Sequence, residues 1–154
     1  MRQIGWITLA SAIAAAPGCG GGPQPPPFKP VADNQQLMEG VIEPAADVIW
    51  DSVGTIITSA GEENIRPKSD EEWEAVRNAA LTLTESGNLL MMVPRAVDGD
   101  EWMRLCQAMI DTGTAAVRAA ESKNPDQVFD AGAEIYAVCT NCHSKYEPSI
   151  VRVQ

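Results

Sequence analysis

The chain is poor in the residues that many functions need. It has a single histidine, His143, in 154 residues, which excludes histidine-rich metal sites. Basic residues are scarce: 11 Lys and Arg stand against 21 Asp and Glu, a formal charge of −10. Phosphate binding rests on cationic side chains, so nucleic acid is excluded as a partner and a basic protein suits the charge. Aromatics make up only 5% while Ala is abundant, which leans toward helices rather than a β sandwich. No segment alternates strictly between apolar and polar, so no strand is expected. No apolar run reaches the roughly 20 residues of a transmembrane helix. No carboxylate pair or nucleophile–base pair stands out, so no enzyme is expected.

What is present begins with a targeting segment. Arg2 precedes an uncharged run over 4–16, too short to span a bilayer and read as a secretory signal that is no part of the fold. The sequence Ala16-Pro17-Gly18-Cys19 resembles the end of a bacterial lipoprotein signal, in which a small residue precedes the Cys that is lipidated. That resemblance implies a signal peptide over 1–18 and a membrane surface reached through lipidated Cys19. The alternative is ordinary cleavage after Ala14, which leaves Cys19 a free thiol. The Gly/Pro-rich stretch 19–30 reads as a tether, extended where Pro dominates and flexible where Gly does. Either way the expected location is the periplasm.

Residues 31–148 read as four helices, with 149–154 as a tail. Four capping-box spacings recur: Asp33 with Gln36, Ser69 with Glu72, Asp98 with Glu101, and Asn124 with Gln127. Pro125 occupies the favoured first helical position after Asn124. Apolar residues step by three and four along each helix: Met38, Ile42, Ala45, Ile49, Val53 and Ile56 on the first; Trp73, Val76, Ala80, Leu83, Gly87 and Leu90 on the second. Met103, Cys106, Ile110, Gly113, Val117 and Ala120 follow on the third, whose face Trp102, Leu105 and Met109 widen, and Val128, Ala131, Ile135, Val138 and Cys142 on the fourth. This spacing predicts an all-α, antiparallel up-down-up-down four-helix bundle with crossing angles of about 20°. Gly61 is expected to stop the first helix and Pro148 the last. Pro44 conflicts with the first helix, which either kinks there, the preferred reading, or restarts with Pro44 in its first turn.

Chemistry concentrates at the end of the fourth helix. Cys139-Thr140-Asn141-Cys142-His143 is C-x-x-C-H, the attachment signature of c-type haem. On a helix the three side chains stand at i, i+3 and i+4, hence on one face. Two thiols can then add to the two vinyl groups of one porphyrin while His143 takes the iron. Three duller readings compete. A structural zinc site could combine Cys106, Cys139, Cys142 and His143. A redox dithiol needs a lowered thiol pKa, which the negative end of a helix opposes. A disulfide across the motif leaves His143 without a role.

Most c-type cytochromes carry this motif near the start of the domain. Here it closes the last helix, in Val128-Phe129-Asp130-Ala131-Gly132-Ala133-Glu134-Ile135-Tyr136-Ala137-Val138-Cys139-Thr140-Asn141-Cys142-His143-Ser144-Lys145-Tyr146. In this the chain resembles the class II cytochromes c, the cytochrome c′ group. The resemblance implies one covalent haem c at one end of the bundle and His143 as axial iron ligand. It also implies that copies can pair through the first helix. Some members of that family bind nitric oxide or carbon monoxide at an open iron; others place a Met of the first helix on it and carry electrons. Met38 is the candidate sixth ligand, with Met91, Met92 or an open position as alternatives, and a Met on a core stripe also serves as packing. Met91, Met92 and Tyr146 are the candidates to line the haem edge. Glu147 stands where the family often has a basic residue. The expected function is a mono-haem cytochrome carrying electrons between partner proteins by Fe(II)/Fe(III) cycling; the alternative is a five-coordinate haem protein that binds gas.

Overall fold

Asp33 opens the first helix as its spacing predicts. Its carboxylate accepts the Gln36 amide at 2.8 Å, and the Gln36 side chain accepts the Asp33 amide at 3.1 Å. The structure, a computed structural model, describes residues 28–148; the signal segment, Cys19 and the tail lie outside the described residues. Helix α1 (Asn34–Leu37) passes into a π turn (Met38–Ile42) and then into α2 (Glu43–Asp51). Pro44 accounts for the change of pitch. In an α-helix it would leave the Gly40 carbonyl without a donor. A π turn bonds one residue further along, and the Glu43 amide donates to the Met38 carbonyl. In place of the preferred simple kink, Pro44 therefore sits in the first turn of α2.

The first helix does not continue to Gly61. It ends at Asp51, and residues 54–65 fold into an antiparallel hairpin of β1 (Gly54–Thr58) and β2 (Gly61–Ile65). The fold is therefore mostly helical rather than all-α. The physical cause is the run Val53-Gly54-Thr55-Ile56-Ile57-Thr58. Its β-branched side chains lose rotamer freedom on a helix and fit a pleated strand. Gly61, with φ of 137°, takes a backbone conformation that a side chain resists, and so closes the turn. Val53 is buried as expected, but Ile56 is 47% exposed.

Three longer helices follow: α3 (Asp70–Leu90), α4 (Glu101–Glu121) and α5 (Pro125–Tyr146). Ser69 and Glu72 form the expected capping box, and Asn124 caps α5 through the Gln127 amide at 3.1 Å. The expected pairing of Asp98 with Glu101 does not form. Asp98 reaches one residue further, accepting the Trp102 amide at 2.9 Å, while Glu101 pairs with Arg104 at 2.6 Å.

Helix α2 packs on α3 and α5, α3 on α4, and α4 on α5. Ile49, Leu83, Val128 and Ile135 are sealed in the centre. Each such side chain contributes about 1.5–3 kcal/mol by leaving water. The second stripe is buried at every predicted position. On α4 the buried face turns: Trp102, Leu105, Cys106, Met109, Gly113, Ala116 and Ala120 are inside, and Met103, Ile110 and Val117 are half-buried on its flank. Two glycines let α3 and α4 approach closely. A Cβ on Gly87 would lie 2.6 Å from Ile110 Cγ1 and 2.9 Å from the Cys106 carbonyl oxygen; one on Gly113 would lie 2.5 Å from Thr84 Oγ1.

Arg95 fastens the incoming chain. It is 7% exposed, and its guanidinium donates to the carbonyls of Ala32 and Leu89 at 3.0 Å each. Its own carbonyl accepts the Asn34 side-chain amide at 3.0 Å. The start of α1 and the end of α3 are thereby held together. The Leu89 bond also places a cation on the negative end of α3.

The glycine contacts are testable. Gly87→Ala should introduce about 1–3 kcal/mol of overpacking, outweighing the gain of about 1 kcal/mol in helix propensity, and lower the urea midpoint. Gly40 has nothing within 4 Å of its Cβ position, so Gly40→Ala should leave the midpoint unchanged or raise it. Equal midpoints for Gly87→Ala and the wild type would contradict the close approach.

Candidate functional site

Four chain segments converge at one end of the molecule, each for a local reason. Arg95 holds the start of α1 against the end of α3. The Trp102 indole, in the first turn of α4, donates to the Leu90 carbonyl at 2.9 Å. Tyr146, the last residue of α5, donates its hydroxyl to Asp98 at 2.5 Å and sets its ring edge-on to Trp102, with centroids 5.0 Å apart. Between these segments lies a cleft of about 770 Å³ that extends along α1, the π turn and α2 to Trp50. Its volume falls within the range of small-molecule and cofactor pockets.

Cys139, Cys142 and His143 all line this cleft and are half-buried. Both cysteines are free thiols, so neither is closed in a disulfide. Burial pushes the Cys139 thiol up to about 11, with a smaller contribution from Cys142. Burial, then the nearby Glu101 carboxylate, raises Cys142 as well. Both thiols are therefore protonated at neutral pH, the opposite of the activated thiolate that dithiol exchange requires. Cys106 also lines the cleft, and its thiol is raised to about 11 by burial. It does not complete a zinc set: among the described residues no three His, Cys, Asp or Glu side chains are grouped to hold a metal ion.

The predicted sulfur residues separate. Met38 is half-buried in the π turn and lines the cleft. Met91 and Met92 do not line it. They form the turn after α3, where the Met91 amide donates to the Gly87 carbonyl and the Met92 carbonyl accepts the Arg95 amide at 2.7 Å. Their location follows from the loop that Arg95 folds down, for which the helical spacing held no signal. Tyr146 also lines the cleft, and its hydroxyl donates to Asp98. Glu147 is also in the lining.

Of the other residues of the site, Trp50 and Asn34 carried no functional signal in the sequence, whereas Tyr136 stands one turn before Cys139. The Trp50 indole donates to the Gly132 carbonyl at 2.9 Å, and its ring meets Tyr136 edge-on at 6.0 Å. These two aromatics wall the cleft where α2 meets α5. Asn34 lines the other end; its Oδ1 is buried and has no hydrogen-bond partner. A buried acceptor of this kind is rare, and a proton donor lodged in the cleft would satisfy it. A flat, mostly apolar cofactor with two thiol-reactive groups on one edge suits this arrangement. It would meet Cys139 and Cys142 on one side and Trp50, Trp102, Leu105 and Met109 around its faces.

Asp98 lies behind the cleft lining, bonded to two of its residues, Trp102 and Tyr146. The Tyr146 hydroxyl, then the Trp102 amide, hold its carboxyl below the ordinary value of 3.8. Tyr146 is pushed up to about 12, by burial first and then by the Asp98 bond. The bond needs an ionised Asp98 and a protonated Tyr146. A lowered Asp contributes stability above its unfolded pKa and loses it as pH falls; a raised Tyr contributes below its unfolded pKa and loses it as pH rises. The contribution is thus complete between 3.8 and 10.0, the ordinary values of the two groups. Tyr146→Phe should therefore lower the urea midpoint at neutral pH and have a shrinking effect below the acid limit and above the alkaline one. Equal midpoints for Tyr146→Phe and the wild type at neutral pH would show that only ring packing matters, because Phe keeps the ring. In comparisons with known proteins, no family model, no curated protein and no solved structure matches the chain.

Proposed function

We propose that residues 31–148 form a mono-haem c-type cytochrome that carries electrons outside the cytoplasm. On this reading the helices form the up-down-up-down bundle of the class II cytochromes c, which the chain resembles in its late C-x-x-C-H motif. One observation carries the proposal: Cys139, Cys142 and His143 line a single cleft of about 770 Å³, with both thiols free. When bound, the haem supplies a one-electron Fe(II)/Fe(III) couple.

The chain's own residues supply the rest. Cys139 and Cys142 would hold the haem by adding their thiols across its two vinyl groups, and His143, one residue on, would ligate its iron. Trp50, Trp102, Leu105 and Met109 contribute apolar surface to the cleft, and such a shell would tune a redox centre. Met38, which lines the same cleft, would be the candidate sixth ligand; a thioether there would raise the reduction potential. No second histidine exists to move protons, which fits a carrier rather than an enzyme. The charge of −10 favours basic redox partners. The signal over 1–18 would direct export, and lipidated Cys19 would hold the domain at a periplasmic membrane surface. Among the described residues no helix is long and apolar enough to cross a membrane.

The attachment is tested by acid–acetone extraction of the purified protein. The colour should stay with the protein. Cys139→Ala together with Cys142→Ala should release it, and extraction from the wild type would refute covalent haem.

Ligation by Met38 has its own test. The ferric wild type should show the weak near-infrared charge-transfer band of thioether ligation, and the ferrous form should resist carbon monoxide. Met38→Ala should abolish the band, open the iron to carbon monoxide and lower the potential. A wild type that lacks the band and binds carbon monoxide readily would make Met38 packing and the protein a five-coordinate binder of nitric oxide or carbon monoxide.

A further inference from the structure

The hairpin stands clear of the helices. Of its ten strand residues only Gly54 and Ile65, at the base, are half-buried; the other eight are exposed. It is nonetheless well ordered by its own bonds. The Thr55 hydroxyl donates to Asn64 Oδ1 across the strands at 3.0 Å, and Thr58 Oγ1 accepts the Ala60 amide at 3.2 Å and donates to the Gly61 carbonyl at 3.3 Å. Among the described residues the sheet has two strands, so each strand has an open edge. An open edge presents backbone donors and acceptors to any other strand, and proteins usually blunt it with charge, proline or a cover.

The two edges differ. β2 carries Glu62 and Glu63, which blunt it; β1 reads Gly54-Thr55-Ile56-Ile57-Thr58, with no charge and no proline. Ile57 is 79% exposed and Ile56 47%. A two-stranded sheet is marginal in water, and further strands stabilise it.

We propose that β1 pairs antiparallel with β1 of a second copy, giving a four-stranded sheet across a twofold axis. The strand is complementary to itself. With Ile56 opposite Ile56, Thr55 faces Ile57 and Gly54 faces Thr58, so uncharged and mostly β-branched residues meet throughout, pairs that stabilise a sheet. The acidic strands then lie on the outside. They are separated by three strand spacings, roughly 14 Å, beyond the ~8 Å screening length of physiological salt. Pairing through β2 would instead bring the Glu62 and Glu63 side chains of both copies together. A basic partner would find no charge on β1 to read, whereas an identical strand satisfies an isologous contact. This seam is on the hairpin and is separate from pairing through the first helix.

Sedimentation velocity of the exported protein tests the seam, with Cys19→Ser to remove association through an acyl chain. A dimer should form and should tighten with added salt, because each copy is strongly acidic and salt screens their repulsion. Ile57→Lys should abolish the dimer with no loss of helical circular dichroism, and Glu63→Lys, on the other strand, should leave it intact. A wild type that stays monomeric at millimolar concentration, or a dimer that survives Ile57→Lys, overturns the proposal. A dimer that weakens with salt also overturns it, because that dependence belongs to a charge-paired interface.

Discussion

Asp98 stands where the helical ends converge, and its two oxygens serve different elements. Oδ1 accepts the amides of Asp100 and Trp102 at the start of α4; Oδ2 accepts the Tyr146 hydroxyl at the end of α5. The last two turns of α5 carry the C-x-x-C-H motif, so this carboxylate fixes the frame in which Cys142 and His143 stand. Trp102 transmits the constraint further. Its amide is bound to Asp98, its indole to the Leu90 carbonyl and its ring edge to Tyr146. The ends of α3 and α5 and the start of α4 are therefore held as one unit around the mouth of the cleft.

Arg95 performs the complementary task on the other side. A buried guanidinium is costly unless its donors are satisfied, and here two backbone carbonyls from separate segments satisfy it. The α1 start is thus carried to the cleft, which brings Asn34 and Met38 into its wall. The π turn continues the same logic. Pro44 forbids a regular α-helix through residues 40–44, and the wider turn that accommodates it contains Met38 and lies along the cleft. A local conflict in the sequence is therefore resolved at the place where the proposed haem would lie, a common setting for π turns.

The cleft is open enough for a ligand because the rest of the interior is tightly closed. Gly87 and Gly113 bring α3 against α4 with no room for a side chain, and Ile49, Leu83, Val128 and Ile135 fill the centre. The opening lies instead between the α1–α2 run, the start of α4 and the end of α5. Trp50 props the far end through the Gly132 carbonyl. The half-buried thiols of Cys139 and Cys142, with raised pKa values, then face a space walled largely by apolar groups, an environment that disfavours thiolate chemistry.

The sequence alone determined the features that depend on near neighbours. The caps at Asp33, Ser69 and Asn124 are local hydrogen bonds, and the facing of Cys139, Cys142 and His143 follows from helical pitch. The buried face of α3 was legible because its apolar spacing is regular over six turns. Tertiary structure decided the rest. Val53 and Ile56 continue a helical spacing, yet a short β-branched run suits a strand equally well; its folding as a hairpin clear of the helices settled the choice. Met91 and Met92 had the right residue type at the right helix end, but Arg95 folds their turn away from the cleft. Asp98 looked like an ordinary cap, and its bond to Tyr146 spans 48 positions. A cap is fixed by residues three or four apart, whereas a cleft is fixed by which distant segments the packing brings together.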